Sequence, residues 1–286
     1  MKAYCRCLLL LSCLSAAPAY GYAPDQHQAL TFIAARAVNA CLEEAGSPRL
    51  TALQVRYVVR ANVALADRSL FVRMFRWNYY NRADAGERSL LGVIDTRLHE
   101  HFNALVRRVN TREKQAQRYA DMGRVVSYLQ DVTTPSRAVP VYSNRFWRFS
   151  FSDRFDHFPV DGEAVAAAVA GRCAEVLSAA PDLDQVLAES ATSTLNAVQA
   201  PILGLPATWE SFWRLAEEKQ DFGEYGAAGN NFGRETVFRC GQEDRCVLLE
   251  SDPLYRSFAQ ERHVAAVVAT MRALVIMQLA DPAGSN

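Results

Sequence analysis

The five histidines among the 286 residues limit the chemistry that the chain could perform. His99 and His101 flank Glu100, but imidazoles two residues apart on a helix point to different sides, which indicates a solvated helix surface. A His-Glu-x-x-His string, whose two ligands share one face, does not occur in the sequence. His27 stands near the start of a predicted helix, where a capping or buried histidine is the ordinary alternative to a metal ligand.

A second group of polar residues lies at the end of another predicted helix. An apolar stripe at helical spacing predicts that helix: Tyr119, Met122, Val126 and Leu129. Ser127 and Asp131 are four residues apart and therefore share one face near its end. Pro135 then predicts the end of the helix, with a long loop over residues 136–158. These residues alone indicate a helix, a proline stop and a polar loop.

The stretch 122–161 also resembles the zinc-dependent phospholipase C and single-strand nuclease superfamily. Members carry a G-x-x-x-H-x-x-x-D-x-x-x-P-x-H string, and here Gly123, Asp131 and Pro135 match it in register. Ser127 and Arg137 stand where its two histidines would be. A short H-x-x-x-E string follows in the family. It is represented here by Ser152 in place of the histidine and Asp156 in place of the glutamate.

The resemblance implies one metal site near the start of the processed chain. In the family, the N-terminal amine and carbonyl bind a metal together with a histidine of the first helix and the aspartate of the proline-ended helix. The matching positions are Tyr20, His27 and Asp131. Two nitrogens and two oxygens suit zinc, and oxygen-rich surroundings would also suit manganese. We expect at most one ion, because the other two metal positions of the family have lost most of their ligands.

Two further positions follow from the resemblance in the segment after the second predicted helix. Asp67 matches a family aspartate that serves as a metal ligand, and a capping role is its alternative. Asn78 replaces the histidine of a His-Phe-Tyr string. The carboxylates expected to take part in catalysis, if any remains, are Asp67 and Asp131. Serine is not a usual zinc ligand, and arginine cannot be one because it stays protonated.

The changed positions favour binding over catalysis. We expect Arg137 to lie in the cleft and to pair with Asp156, filling the space of a lost metal. The residues expected to contact a phosphate-containing or anionic ligand are Arg137, Asp156, Asn78, Ser127 and Ser152. One alternative is an active phosphoric ester hydrolase with a reduced metal site, and another is a structural envelope protein. Zero net charge gives no strong nucleic-acid or membrane signature.

The elements that must position these residues are predicted to be helices. The sequence shows no strand–helix alternation and little period-two pattern, which predicts an all-α class. A single domain of about eight to ten helices would cover residues 20–286, as the resemblance also implies. Helices are predicted over 26–44, 50–66, 88–109, 112–130, 162–179, 183–198, 208–219 and 253–279. Residues 235–249 are predicted to form a small hairpin.

The N-terminus and the cysteines predict an exported protein. Lys2 and Arg6, an apolar run at 8–11 and the string Ala-Pro-Ala at 17–19 are typical of a secretory signal cut before Tyr20. No later stretch has the roughly 20 apolar residues that a membrane span needs. Four cysteines remain after the leader, and an even number favours disulfides. Their spacing favours the pairs Cys240–Cys246 and Cys41–Cys173. A secreted or periplasmic location follows from both features.

Overall fold

The computed structural model describes residues 22–66, 79–80, 82, 98–141, 153–178, 182–219, 221–241 and 244–280. Within these ranges the chain forms nine α-helices and four short strands, so the predicted all-α class is confirmed. The helices are α1 Pro24–Glu44, α2 Ala52–Ala66, α3 Leu98–Thr111, α4 Gln115–Asp131, α5 Pro135–Ala138, α6 Gly162–Val169, α7 Cys173–Ser178, α8 Leu183–Gln199 and α9 Pro253–Leu279. The strands are β1 Trp213–Arg214, β2 Glu224–Tyr225, β3 Thr236–Arg239 and β4 Arg245–Leu248.

Helix α4 lies at the centre of the fold and packs against α2 at very short range. A Cβ atom added to Gly123 would overlap the carbonyl oxygen of Val58 on α2. Only glycine lets the two backbones approach this closely without a clash. The apolar stripe predicted for α4 is buried, and α1, α3 and α9 pack around the same helix. This packing brings the C-terminal end of α4 close to α1 and α9.

Helix α9 is the longest helix of the described part and forms much of the core. Its 27 residues are long and apolar enough, by length and composition alone, to cross a membrane, with a window of mean hydropathy 1.3. However, 67% of that window is buried inside the protein. The other helices therefore cover most of the apolar surface that a membrane would cover, as in the core helix of a folded domain.

The prediction of a helix over residues 208–219 is wrong. Only a short 3-10 turn, Trp209–Ser211, forms there, and the chain continues into β1, which pairs with β2 in antiparallel register, Trp213 opposite Tyr225. The Trp213 side chain is buried and stacks near Phe258 of α9 at a ring distance of 5.8 Å. The large aromatic residues of this segment are three and four positions apart, which is also the spacing of a helical face. The cross-strand pairing and the aromatic cluster nevertheless determine the structure.

Two other boundaries differ from the sequence-based expectation. The segment 162–179 forms two helices, α6 and α7, separated by a turn at Gly171. Pro135 ends the preceding helix region as expected, yet it also begins the short helix α5, because proline is well tolerated in the first helical position. Residues 142–152 of the predicted loop lie outside the described residues, and a 3-10 turn, Phe155–His157, follows them.

Two disulfides and one hairpin confirm the corresponding predictions. Cys41 on α1 bonds to Cys173 on α7, with their Cα atoms 5.1 Å apart and 132 positions between them in sequence. Cys240 bonds to Cys246 and closes the predicted hairpin, in which β3 and β4 pair in antiparallel register. Disulfides of this kind are typical of proteins that fold in an oxidising compartment.

Candidate functional site

The first described residues lie against the turn that contains Asp156. The Ala23 amide donates to the carbonyl oxygen of Asp156 at 3.0 Å, and Gln26 Nε2 donates to the carbonyl oxygen of Phe158 at 2.6 Å. The Tyr22 side chain is fully buried and its hydroxyl is 3.2 Å from Thr133 Oγ1. Residues far apart in sequence are thus joined where the chain enters α1.

The amide of Gln130 is held in one orientation by two threonines. Gln130 Nε2 lies 3.1 Å from both Thr31 Oγ1 and Thr270 Oγ1. Each threonine already donates its own proton, Thr31 to the carbonyl oxygen of His27 at 2.7 Å and Thr270 to that of Ala266 at 2.8 Å. Both hydroxyls must therefore accept from Gln130, which places the NH₂ group towards the threonines and leaves Oε1 as an acceptor.

This orientation determines which nitrogen of His27 carries a proton. Gln130 Oε1 lies 2.6 Å from His27 Nδ1, and Asn62 Nδ2 donates to the same oxygen at 2.9 Å. Because Oε1 can only accept, Nδ1 must donate, and in the neutral imidazole the lone pair is on Nε2. A hydrogen bond from the second ring nitrogen is the arrangement that orients metal-binding histidines in proteins.

His27 Nε2 faces a carboxylate oxygen. It lies 3.4 Å from Asp131 Oδ1, and that oxygen has no hydrogen-bond partner in the part of the chain that the structure describes. His27 is 1% exposed and the Asp131 side chain 13% exposed. Zinc bonds of about 2.0–2.2 Å place two ligands of a tetrahedral ion about 3.3–3.6 Å apart, so the observed separation fits one edge of such a site. Two electron-pair donors at this distance require a cation, either a metal ion or a proton.

The expected ligands of a metal site lie partly within and partly outside the described residues. Among the described residues, no group of three or more His, Cys, Asp or Glu side chains is placed to hold a metal ion. Tyr20, the expected third partner, lies outside the described residues, two positions before buried Tyr22. Asp67, Asn78 and Ser152 also lie outside them. His27 and Asp131 are spaced as two ligands of one ion would be, and a complete ligand set stays a prediction.

Two further carboxyl groups are buried beside this pair. Asp153 accepts hydrogen bonds from Trp213 Nε1 at 2.8 Å, from the Tyr225 hydroxyl at 2.9 Å and from the Phe155 amide at 2.8 Å. Burial nevertheless raises the pKa of Asp153. Burial and the nearby Asp153 carboxylate raise the pKa of Asp156 well above its ordinary value. Within the described residues, the Asp156 carboxyl group accepts one long hydrogen bond, from Ser136 Oγ at 3.5 Å.

Arg137 supplies the positive charge of the cluster. It is 6% exposed, and its guanidinium opposes the rise of the pKa of both Asp153 and Asp156. The expected proximity of Arg137 and Asp156 agrees with this electrostatic effect, while a paired geometry stays a prediction. Ser127, one turn before Asp131 on α4, is 1% exposed. The described cluster thus combines His27 and Arg137 with three carboxyl groups.

Sequence reasoning missed the polar residues that orient His27. Gln130 precedes Asp131 directly, and Thr31 follows His27 by one helical turn, so both could have been noticed as neighbours of candidate ligands. Asn62 is a fully buried amide in a largely apolar helix, which is a signal in itself. Thr270 lies on α9 far along the chain, and spacing could not have predicted its position.

Comparisons with protein-family models, curated proteins and solved structures found no match to this chain. The resemblance to the phospholipase C and nuclease superfamily therefore stays a hypothesis based on the residues quoted above. The geometry at His27 and Asp131 is independent of it, since it follows from the hydrogen bonds and distances of the chain itself.

Proposed function

We propose that this chain is an exported helical protein of the phospholipase C and nuclease type that keeps one metal position. It would bind a phosphate-containing or other anionic ligand in the cleft without full catalysis. The observation that carries the proposal is the position of His27 Nε2, which faces Asp131 Oδ1 at 3.4 Å while Nδ1 is bonded to Gln130. Two disulfides and the predicted leader support export to a secreted or periplasmic location.

His27 and Asp131 would hold the ion, with the amine and carbonyl of Tyr20 completing the set after processing. A metal ion at this position supplies Lewis-acid polarisation of a phosphoryl oxygen. Gln130 keeps the His27 ring in place through Nδ1, so the lone pair on Nε2 stays directed towards Asp131. Zinc fits the nitrogen and oxygen ligands, and manganese is the alternative.

Arg137 would bind the ligand's anionic group. A guanidinium can donate two parallel hydrogen bonds to a phosphate or carboxylate, and its burial strengthens that attraction. Asp156 lies in the same cluster, and burial raises the pKa of its carboxyl group while the Arg137 guanidinium opposes that rise.

A direct test measures ligand binding to the processed protein that begins at Tyr20. Isothermal titration with inorganic phosphate, phosphocholine and adenosine monophosphate should detect binding to at least one of them. Arg137→Gln should weaken that binding at least tenfold, which corresponds to about 1.4 kcal/mol. Arg239→Gln, which changes an exposed arginine on β3, is the matched control. Equal affinity in the native protein and Arg137→Gln would contradict the proposal.

Hydrolysis of a phosphoric ester at the same position is the second candidate function. It is favoured by Asp131 Oδ1, a buried carboxylate oxygen without a hydrogen-bond partner among the described residues. Buried polar atoms without a hydrogen-bond partner are uncommon in proteins, and they are found at binding and catalytic sites. Sustained turnover of bis(4-nitrophenyl) phosphate that Asp131→Asn abolishes would establish this function in place of binding alone.

A further inference from the structure

A groove on another part of the surface has properties of a binding site. It lies between α8 and α9, with α6 and α7 forming one side, and has a volume of about 630 Å³. That volume is in the range of pockets that hold small organic ligands. Its lining is mixed, with apolar side chains of α9 on the floor and serine, arginine and glutamate residues along the sides.

Arg262 of α9 is the unusual residue of this groove. It is 6% exposed, although arginine is rarely buried without a charged partner. Its Nη1 donates to Ser193 Oγ on α8 at 3.3 Å. Its Nε has no hydrogen-bond partner among the described residues. Burial lowers the pKa of Arg262, and the charges of Tyr22 and Glu261 oppose that change.

Among the described residues, the acidic side chains that line the groove form no direct ion pair with Arg262. Glu189 accepts from Arg272 at 2.6 Å and from Gln185 at 2.8 Å. Glu175 lies 3.5 Å from Arg172 on the other side of the groove. The remaining glutamate, Glu261, precedes Arg262 directly on α9 and is exposed, and its charge acts on Arg262 without a direct ion pair among the described residues. The edge of the guanidinium that lines the groove can therefore donate to an external acceptor.

We propose that this groove binds the carboxylate or phosphate group of a small organic anion through Arg262 and Ser193. An oxyanion in the groove would accept from the part of the guanidinium that lines the groove, next to Ser193. Ser257 and Gln260, on the same helix, line the groove and can contact the polar part of the ligand. The apolar side chains of Val264, Val268 and Ala269 also line the groove and can contact the carbon skeleton of the ligand.

The groove differs from the cleft of His27 and Asp131 in its lining, although Arg262 and Asp131 both act electrostatically on buried Tyr22. The arginine of the groove belongs to α9, whereas Arg137 belongs to α5, and the two sites share none of their proposed ligand-binding residues. Anion binding in the groove should therefore survive Arg137→Gln, and binding in the cleft should survive a change of Arg262. The two proposals can fail independently.

The experiment is a calorimetric titration of the full processed protein, with inorganic phosphate and succinate as two separate probes at constant ionic strength. We expect saturable binding of at least one probe that Arg262→Met weakens at least tenfold. Arg256→Met, an exposed arginine of the same helix, is the matched control and should bind as the native protein does. Binding by Arg137→Gln identifies the groove as the source of the signal.

Three results would overturn the proposal. The first is no saturable binding of either probe, and the second is equal affinity in the native protein and Arg262→Met. If Arg262→Met does not fold, Arg262→Lys keeps the charge but lacks the planar fork, and we expect it to bind about tenfold more weakly. Unchanged affinity in Arg262→Lys would be the third contrary result.

Discussion

A pH-dependent loss of stability should arise from His263, a residue of α9 outside the proposed sites. Its side chain is 1% exposed and lies among aromatic rings, 5.4 Å from Tyr22 and 6.0 Å from Phe155. Burial lowers the pKa of His263 from 6.5 to about 4. Its Nε2 has no hydrogen-bond partner in the described part of the chain, so nothing there compensates a proton on the ring.

The sign and size of the effect follow from proton linkage. Above pH 6.5 the histidine is neutral in both the folded and the unfolded chain, and it contributes nothing to pH dependence. As the pH falls from 6.5 towards 4, His263 binds a proton in the unfolded chain but stays neutral in the folded chain. The free energy of unfolding therefore decreases over this window, by about 3 kcal/mol at pH 4.

The assay is urea denaturation of the native protein and of His263→Phe at pH 7, 5.5 and 4. Phenylalanine keeps an aromatic ring in the cluster but cannot take up a proton. Comparing the two proteins at each pH cancels the titration of all other groups. The stability of His263→Phe relative to the native protein should rise by about 3 kcal/mol from pH 7 to pH 4. A difference that does not change with pH would refute this reasoning, and His101→Ala serves as the histidine control.

Three further changes test the packing and charge of the fold. Gly123→Ala should lower the free energy of unfolding by at least about 2–3 kcal/mol, because the added Cβ meets the Val58 carbonyl. Gly171→Ala is the control in the same urea assay and should be neutral, because a Cβ at Gly171 has nothing within 4 Å. Replacing both cysteines of the α1–α7 disulfide by alanine should lower the free energy of unfolding by about 5 kcal/mol. The same change at the hairpin disulfide should lower it by about 2 kcal/mol, because that disulfide closes a much shorter loop. Arg137→Ala should cost about 3–5 kcal/mol if Arg137 pairs with buried Asp156, and a variant that melts like the native protein would exclude that pair.

The helices could be predicted where apolar periodicity and end signals agree. Thr51, for example, directly precedes α2. Its Oγ1 accepts from the Gln54 amide at 3.3 Å, and Gln54 Oε1 accepts from the Thr51 amide at 2.7 Å, which is the reciprocal pattern of a capping box. Periodicity failed at 208–219 because Trp209, Phe212 and Trp213 follow a helical spacing but pack from a turn and a strand. Contacts with β2 and α9, which are distant in sequence, decide that segment.

The candidate site was predictable in part. His27 and Asp131 were found as candidates through the resemblance, and the structure brings them together. The orientation of the imidazole was not predictable, because it depends on Gln130, whose own amide is fixed by threonines on two other helices. The buried state of Arg262 was missed for the same physical reason. A helical pattern shows which face a residue occupies, but not which neighbouring helix covers it.

Metal content of the correctly processed protein tests the central claim most directly. The account predicts one zinc or manganese ion per chain when the protein begins at Tyr20. Both His27→Ala and a form with one additional N-terminal residue should lose it, whereas His101→Ala should keep it. Two or more tightly bound ions, no ion at all, or a single ion that His27→Ala retains would contradict the account.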